Sequence, residues 1–161
     1  MSKKTDTFMT TLVLFSPSNP CYALMAGAWL RSWNKELEIQ ILYTEIELQT
    51  TKLVIEVMSE VHADIDELSQ LSLSEVQSRK WDYFIYFFTA DTSFSIPTIL
   101  AQSKIGLSIS NDSFHPAIDN QVREYRKLRD EIRDLIFDVY LKTMQGKEML
   151  GADSCGVTCD L

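Results

Sequence analysis

A hydroxyl, a thiol and a phenol fall close together where an apolar run gives way to an amphipathic pattern. They are Ser16, Cys21 and Tyr22, in the stretch Ser16-Pro17-Ser18-Asn19-Pro20-Cys21-Tyr22. A serine or cysteine becomes a nucleophile once a base or a lowered pKa activates it. A turn that feeds a helix N-terminus offers free N–H groups and the positive end of a dipole, which suits an anion. This turn is therefore the candidate ligand loop. Cys21 itself reads as a small buried filler before it reads as a reactive thiol.

Other residues invite chemistry more weakly. His115 reads as an ordinary loop histidine before it reads as a ligand contact. Cys155 and Cys159 enclose three residues, an unusual zinc spacing, with no neighbouring His or Cys to complete a site. His62 beside Asp64 and Asp66 reads as a solvated helix exit. No metal and no cofactor are expected. Phe94, just beyond an aromatic run, is expected to line a pocket or an interface.

The elements that must position the loop follow from hydrophobic spacing. Thr11 to Phe15 is a short β-prone run without polar alternation, as in a strand covered on both faces. Tyr22, Met25, Ala26, Trp29, Leu30 and Trp33 then share one face of a helix. Ile39 to Tyr43 predicts a second strand, and Leu53, Val54, Val57, Met58 and Val61 mark a second helix. A short helix is expected near Leu73 to Gln77, a third strand at Tyr83 to Phe88 and a weaker fourth at Ile105 to Ile109. A last long helix carries Val122, Tyr125, Leu128, Ile132, Leu135, Ile136, Val139 and Tyr140 on its apolar face. Its Arg and Asp/Glu face reads as solvated surface. Strands alternating with helices predict a three-layer α/β domain of flavodoxin-like wrap, with a four-stranded parallel sheet and helices on both faces. Residues 1–145 form the expected domain, and 146–161 read as a flexible tail. In such a sheet, ligands bind beyond the carboxyl ends of the strands where strand order reverses, which is where the Ser16 to Tyr22 turn falls.

Composition narrows the function classes. The 161 residues carry 45% hydrophobic and 24% charged side chains, enough for one sizeable core. A net charge of −8 lacks the footprint of a protein that grips phosphate backbones or anionic membranes. The start, MSKKTDTFMT, has no apolar signal-peptide core, and no apolar stretch approaches the roughly 20 residues of a membrane span. Three cysteines are too few for a secreted disulfide framework. A cytoplasmic protein with neither nucleic acid nor membrane as partner is expected.

The stretch Leu14-Phe15-Ser16-Pro17-Ser18-Asn19-Pro20-Cys21-Tyr22-Ala23-Leu24-Met25-Ala26 resembles the loop of the low-molecular-weight protein tyrosine phosphatases, and especially of their thioredoxin-coupled arsenate reductase relatives. In that family an apolar strand end is followed by Cys, five residues, Arg and a helix opening Ser-x-Met-Ala. The similarity continues through Ile55-Glu56-Val57-Met58-Ser59-Glu60-Val61, Asp64-Ile65-Asp66 and Trp81-Asp82-Tyr83, and ends in Tyr125-Arg126-Lys127-Leu128-Arg129-Asp130-Glu131-Ile132-Arg133, so residues 11–140 are covered.

The resemblance implies a thiolate nucleophile held by loop amides and an Arg fork clamping the oxyanion. The nucleophile position is Ser16 here, and the Arg position is Tyr22. Pro17 and Pro20 remove two of the amides that would cradle an anion. The family's acid, an Asp before Pro, falls on His115. Cys21 matches a cysteine often found in the family's anion loop, but the later reductase pair is absent, and Cys155 and Cys159 are the only substitutes. The expectation is a catalytically degenerate member serving as a binding or regulatory module for a small ligand or a protein, a second copy of the chain among the candidates. The rival reading is a hydrolase or reductase of altered chemistry, using Ser16 or Cys21 with His115. A third is a protein–protein platform that never uses the old pocket.

Overall fold

A computed structural model describes residues 9–17, 19–42, 48–65, 68–89, 95–109 and 121–145. Five strands run parallel: β1 (Thr11–Phe15), β2 (Glu38–Leu42), β3 (Ser69–Leu71), β4 (Trp81–Thr89) and β5 (Ala101–Ile109). Four α-helices join or follow them: α1 (Cys21–Trp33), α2 (Leu48–Ser59), α3 (Leu73–Gln77) and α4 (Gln121–Val139), the last widening into π-type turns over Tyr140–Gln145. The sheet order is β3-β2-β1-β4-β5.

This corrects the expectation of four strands. The added strand, β3, is three residues of mainly polar chain, too short to leave a hydrophobic period. Pairing with β2 creates it, Gln40 opposite Ser69 and Leu42 opposite Leu71. The flavodoxin-like α/β layering stands.

Crossover handedness explains where the helices lie. From β1 through β2 to β3 the chain steps one way along the sheet, so right-handed connections place α1 and α2 on one face. The step from β3 back past β1 to β4 reverses direction and places α3 on the other. The first face carries the large core, in which Met25, Leu30, Val54, Met58, Ile85, Phe87, Ile132 and Ile136 pack with α4 closing over α1 and α2. The opposite face holds a smaller cluster of Val13, Leu42, Val76, Trp81, Phe84 and Ile99. Gly27 lets α1 approach the sheet closely, since a Cβ there would lie 3.1 Å from Leu68 and 3.3 Å from Ile41.

Two polar devices lock these layers. At the foot of the sheet the Thr11 amide donates to Asp82 Oδ2 at 2.9 Å, while the Asp82 amide donates to Thr11 Oγ1 at 3.1 Å, so β1 and β4 clasp each other. Within the helical layer Arg129 is buried and is not part of the solvated face expected for α4. Its guanidinium donates to the Val57 carbonyl at 2.9 Å and to Glu60 Oε1 at 2.9 Å, bridging α4 to the carboxyl end of α2. A cation there complements the helix dipole and the carbonyls left free at a helix end. The Arg129 carbonyl in turn accepts from Trp29 Nε1 at 3.1 Å, which ties in α1. No helix among the described residues is long and apolar enough to cross a membrane.

Candidate functional site

Strand order reverses between β1 and β4, and the chain leaves β1 at that point through Ser16. The turn is closed by its own side chains. Pro20 occupies the N-cap position of α1 and provides no side-chain cap, having neither hydroxyl nor carboxylate. Ser16 acts in its place from the end of β1: its Oγ accepts the Ala23 amide at 3.0 Å, and the residue is 1% exposed. Asn19 Oδ1 accepts the Cys21 amide at 3.1 Å, and the Asn19 carbonyl accepts the Tyr22 amide at 3.1 Å. The Leu24 amide reaches the Pro20 carbonyl at 3.3 Å.

The first four N–H groups of α1, those of Cys21, Tyr22, Ala23 and Leu24, are thus engaged within the chain. The space beside Ser16 matches. It is a cavity of about 10 Å³ lined by Ser16, Pro20, Ala23, Leu24, Ile41, Leu42 and Gln70, none of them charged. That is room for about one water molecule.

The neighbouring side chains are turned inward. Cys21 is wholly buried, and burial pushes its thiol up to about 12 against a hydrogen bond from the Tyr125 side chain. It is protonated at neutral pH, so the helix start does not yield a thiolate here. Tyr22 is buried in the larger core with its ring centroid 6.4 Å from that of Phe87. Burial raises its pKa, opposed by a hydrogen bond from the Asn19 side chain. A neutral phenol packed against Phe87 cannot fork an oxyanion as a guanidinium does.

Ser16, Pro17, Asn19, Pro20, Cys21 and Tyr22 are therefore brought together as one turn, but by packing and capping. Ser18, Asp66, Phe94, His115, Cys155, Cys159 and the expected tail 146–161 lie outside the described residues. His62 is exposed and occupies the left-handed region at φ 60. It closes α2 in a Schellman arrangement, with the His62 amide on the Ser59 carbonyl at 3.1 Å and the Ala63 amide on Met58 at 3.0 Å. With Asp64, Ile55, Ser59 and Ala63 it borders an open surface hollow. Among the described residues no group of three or more His, Cys, Asp or Glu could hold a metal.

Two participants are absent from the sequence reading: Asn19 as the acceptor that folds the turn, and the Ser16 hydroxyl as a cap. An Asn two residues before a helix start is a recognisable local signal. A cap contributed seven residues upstream is not.

No protein-family model matches the chain, and no curated protein sequence matches it. Solved structures do. An arsenate reductase in its reduced state superposes with a TM-score of 0.59 at 13% identity, covering 83% of this chain and 98% of that one. An arsenate reductase in the phosphate binding state gives 0.59 at 15% identity over the same shares. The arsenate reductase from Archaeoglobus fulgidus DSM 4304 gives 0.54 at 14% identity, over 81% of this chain and 98% of that one. At these identities the similarity is one of fold: the chain has the α/β architecture of the arsenate reductases.

Proposed function

We propose that this protein is a binding or regulatory module built on the arsenate reductase scaffold, in which the loop after β1 no longer carries out anion chemistry. One observation carries the reading: the amides of Cys21, Tyr22, Ala23 and Leu24 are all spent on Asn19, Ser16 and Pro20. The buried Cys21 and Tyr22 support it, because among the described residues neither a thiolate nor a cation lines the turn. The module's ligand is a protein or a small molecule, recognised elsewhere than at this loop.

Calorimetry with orthophosphate and with arsenate tests the reading, alongside turnover of an aryl phosphate and thioredoxin-coupled reduction of arsenate. The expected result is no saturable heat at millimolar anion and no turnover above buffer. Saturable anion uptake, or turnover that disappears in Ser16→Ala, overturns it in favour of an enzyme of altered chemistry using Ser16, Cys21 or His115.

A further inference from the structure

The two edges of the sheet differ. β3 ends one side with three residues, a length that leaves little to pair with. β5 ends the other with nine residues, Ala101-Gln102-Ser103-Lys104-Ile105-Gly106-Leu107-Ser108-Ile109. It contains no proline and a single charge, and its constant register against β4, from Trp81 with Ala101 to Thr89 with Ile109, leaves no place for a bulge. Short strands, prolines, bulges and several charges are the usual devices that stop an edge from pairing. None but Lys104 is present on β5.

The backbone direction of this edge is set by one bond. The Trp81 amide donates to the Leu100 carbonyl at 2.9 Å. In a parallel ladder, successive residues alternate between the two neighbours, so the even-numbered residues of β5 turn their N–H and C=O toward β4. Those of Ala101, Ser103, Ile105, Leu107 and Ile109 point away from the sheet, where no described strand pairs with them. Gln102, Ser103, Lys104, Gly106 and Ser108 are exposed, while Ile105 and Leu107 pack against the larger core.

We infer that β5 is a self-association edge, pairing antiparallel with β5 of a second copy about a two-fold axis through Ile105. This is independent of the loop after β1. In that register all nine residues engage over roughly 30 Å, and the outward-facing residues meet one another, with about ten inter-chain hydrogen bonds. Ser103 falls opposite the second copy's Leu107, Gln102 opposite its Ser108, and Lys104 opposite its Gly106. The register one residue over, centred on Lys104, sets the two ammonium groups directly against each other and is disfavoured.

Gly106 is what makes room for the Tyr86 ring. The Tyr86 ring lies across it, so close that a Cβ there would stand 2.7 Å from the ring. Lys104 of the second copy, opposite Gly106, meets this covering ring, and its ammonium against the Tyr86 face is a cation–π contact made twice by symmetry. The partner of this edge is therefore another molecule of the same chain, joining two five-stranded sheets into one continuous sheet.

Light scattering across a concentration series is the test. The intact protein is expected to give a mass near twice 18.5 kDa at high concentration and to dissociate on dilution. Ser103→Pro removes an outward N–H without touching the β4 ladder, so it is expected to keep the thermal transition while weakening the dimer at least about tenfold. Ile105→Cys, in a Cys155→Ser/Cys159→Ser background, places two thiols at the roughly 5.5 Å Cα separation of a hydrogen-bonded pair, within disulfide reach. It is expected to cross-link copies under mild oxidation, whereas Gln102→Cys, opposite Ser108, does not. A mass of one chain at every concentration overturns the proposal. So does a dimer whose affinity Ser103→Pro leaves unchanged, or one in which Ile105→Cys does not link.

Discussion

Replacing Ser16 with alanine separates a structural hydroxyl from a reactive one. The variant deletes a single acceptor, the oxygen 3.0 Å from the Ala23 amide, in a residue 1% exposed. A buried N–H left without a partner costs about 1–3 kcal/mol, and losing a helix cap costs about 0.5–2 kcal/mol. The overlap of these ranges is the expected loss, about 1–2 kcal/mol. Among the described residues of the turn, Asn19 already serves Cys21 through its side chain and Tyr22 through its carbonyl. The adjacent cavity of about 10 Å³ admits one water, which sets the lower bound on the loss. For a chain of this length about 1.5 kcal/mol corresponds to a transition lowered by roughly 3–6 °C. Urea unfolding followed by circular dichroism measures it, with an unchanged m-value showing that both end states are preserved. Ser16→Cys is expected to destabilise as well, since sulfur is a weak acceptor in a space sized for oxygen. A Ser16→Ala transition within about 1 °C of the parent would falsify the capping role, and with it the argument that the amides of α1 are spent.

Three further outcomes follow from the same geometry. Arg129→Met keeps the stem but strands the Val57 carbonyl; Glu60 retains Arg126, so the loss in urea is expected at about 2 kcal/mol, and less than about 0.5 kcal/mol would contradict the bridge. Glu60 is held at about 2 instead of 4.5, first by its hydrogen bond from Arg126 and further by Arg129. Its folded-state pKa is depressed, so its contribution is complete above 4.5 and fades as pH falls toward 2; Glu60→Gln should lose its stability deficit across that window, and a deficit constant with pH would refute the assignment. His62→Gly, at φ 60, is expected to stabilise by about 0.5–1 kcal/mol in thermal melts, because only glycine adopts that conformation without a Cβ penalty, whereas destabilisation would point to a contact made by the imidazole.

Much of the fold was legible because local signals and burial agree. The period of Tyr22 to Trp33 placed α1, and Ser72 with Glu75, which form a capping box, sit at the start of the short helix read at Leu73 to Gln77. Strand limits were less visible. β5 begins at Ala101, four residues before the expected Ile105, because Gln102, Ser103 and Lys104 show no apolar alternation and are drawn into the sheet by β4. Arg129 escaped for the opposite reason: its spacing groups it with solvated charges, and only the arrival of Val57 and Glu60 from a distant helix makes it an interior residue. At the loop, the resemblance implied a thiol at position 16 and a guanidinium at position 22, where the residues are Ser16 and Tyr22. Residue types alone did not show that Ser16 had become an acceptor, since that depends on where Ala23 comes to rest.

The clasp between Thr11 and Asp82 bears on how far the turn after β1 can vary in sequence without the architecture failing. Central β1 and its neighbour β4 are anchored at their amino ends, the length of β1 away from the turn after Phe15. Slippage of either strand would forfeit both bonds at once, so the height at which β1 delivers the chain to its crest is decided from below. Residues at the crest then answer only to closing the chain into α1. A scaffold anchored at its base leaves its summit free to be rewritten, and grafting new recognition onto positions 16 to 22 should leave the pleat beneath undisturbed.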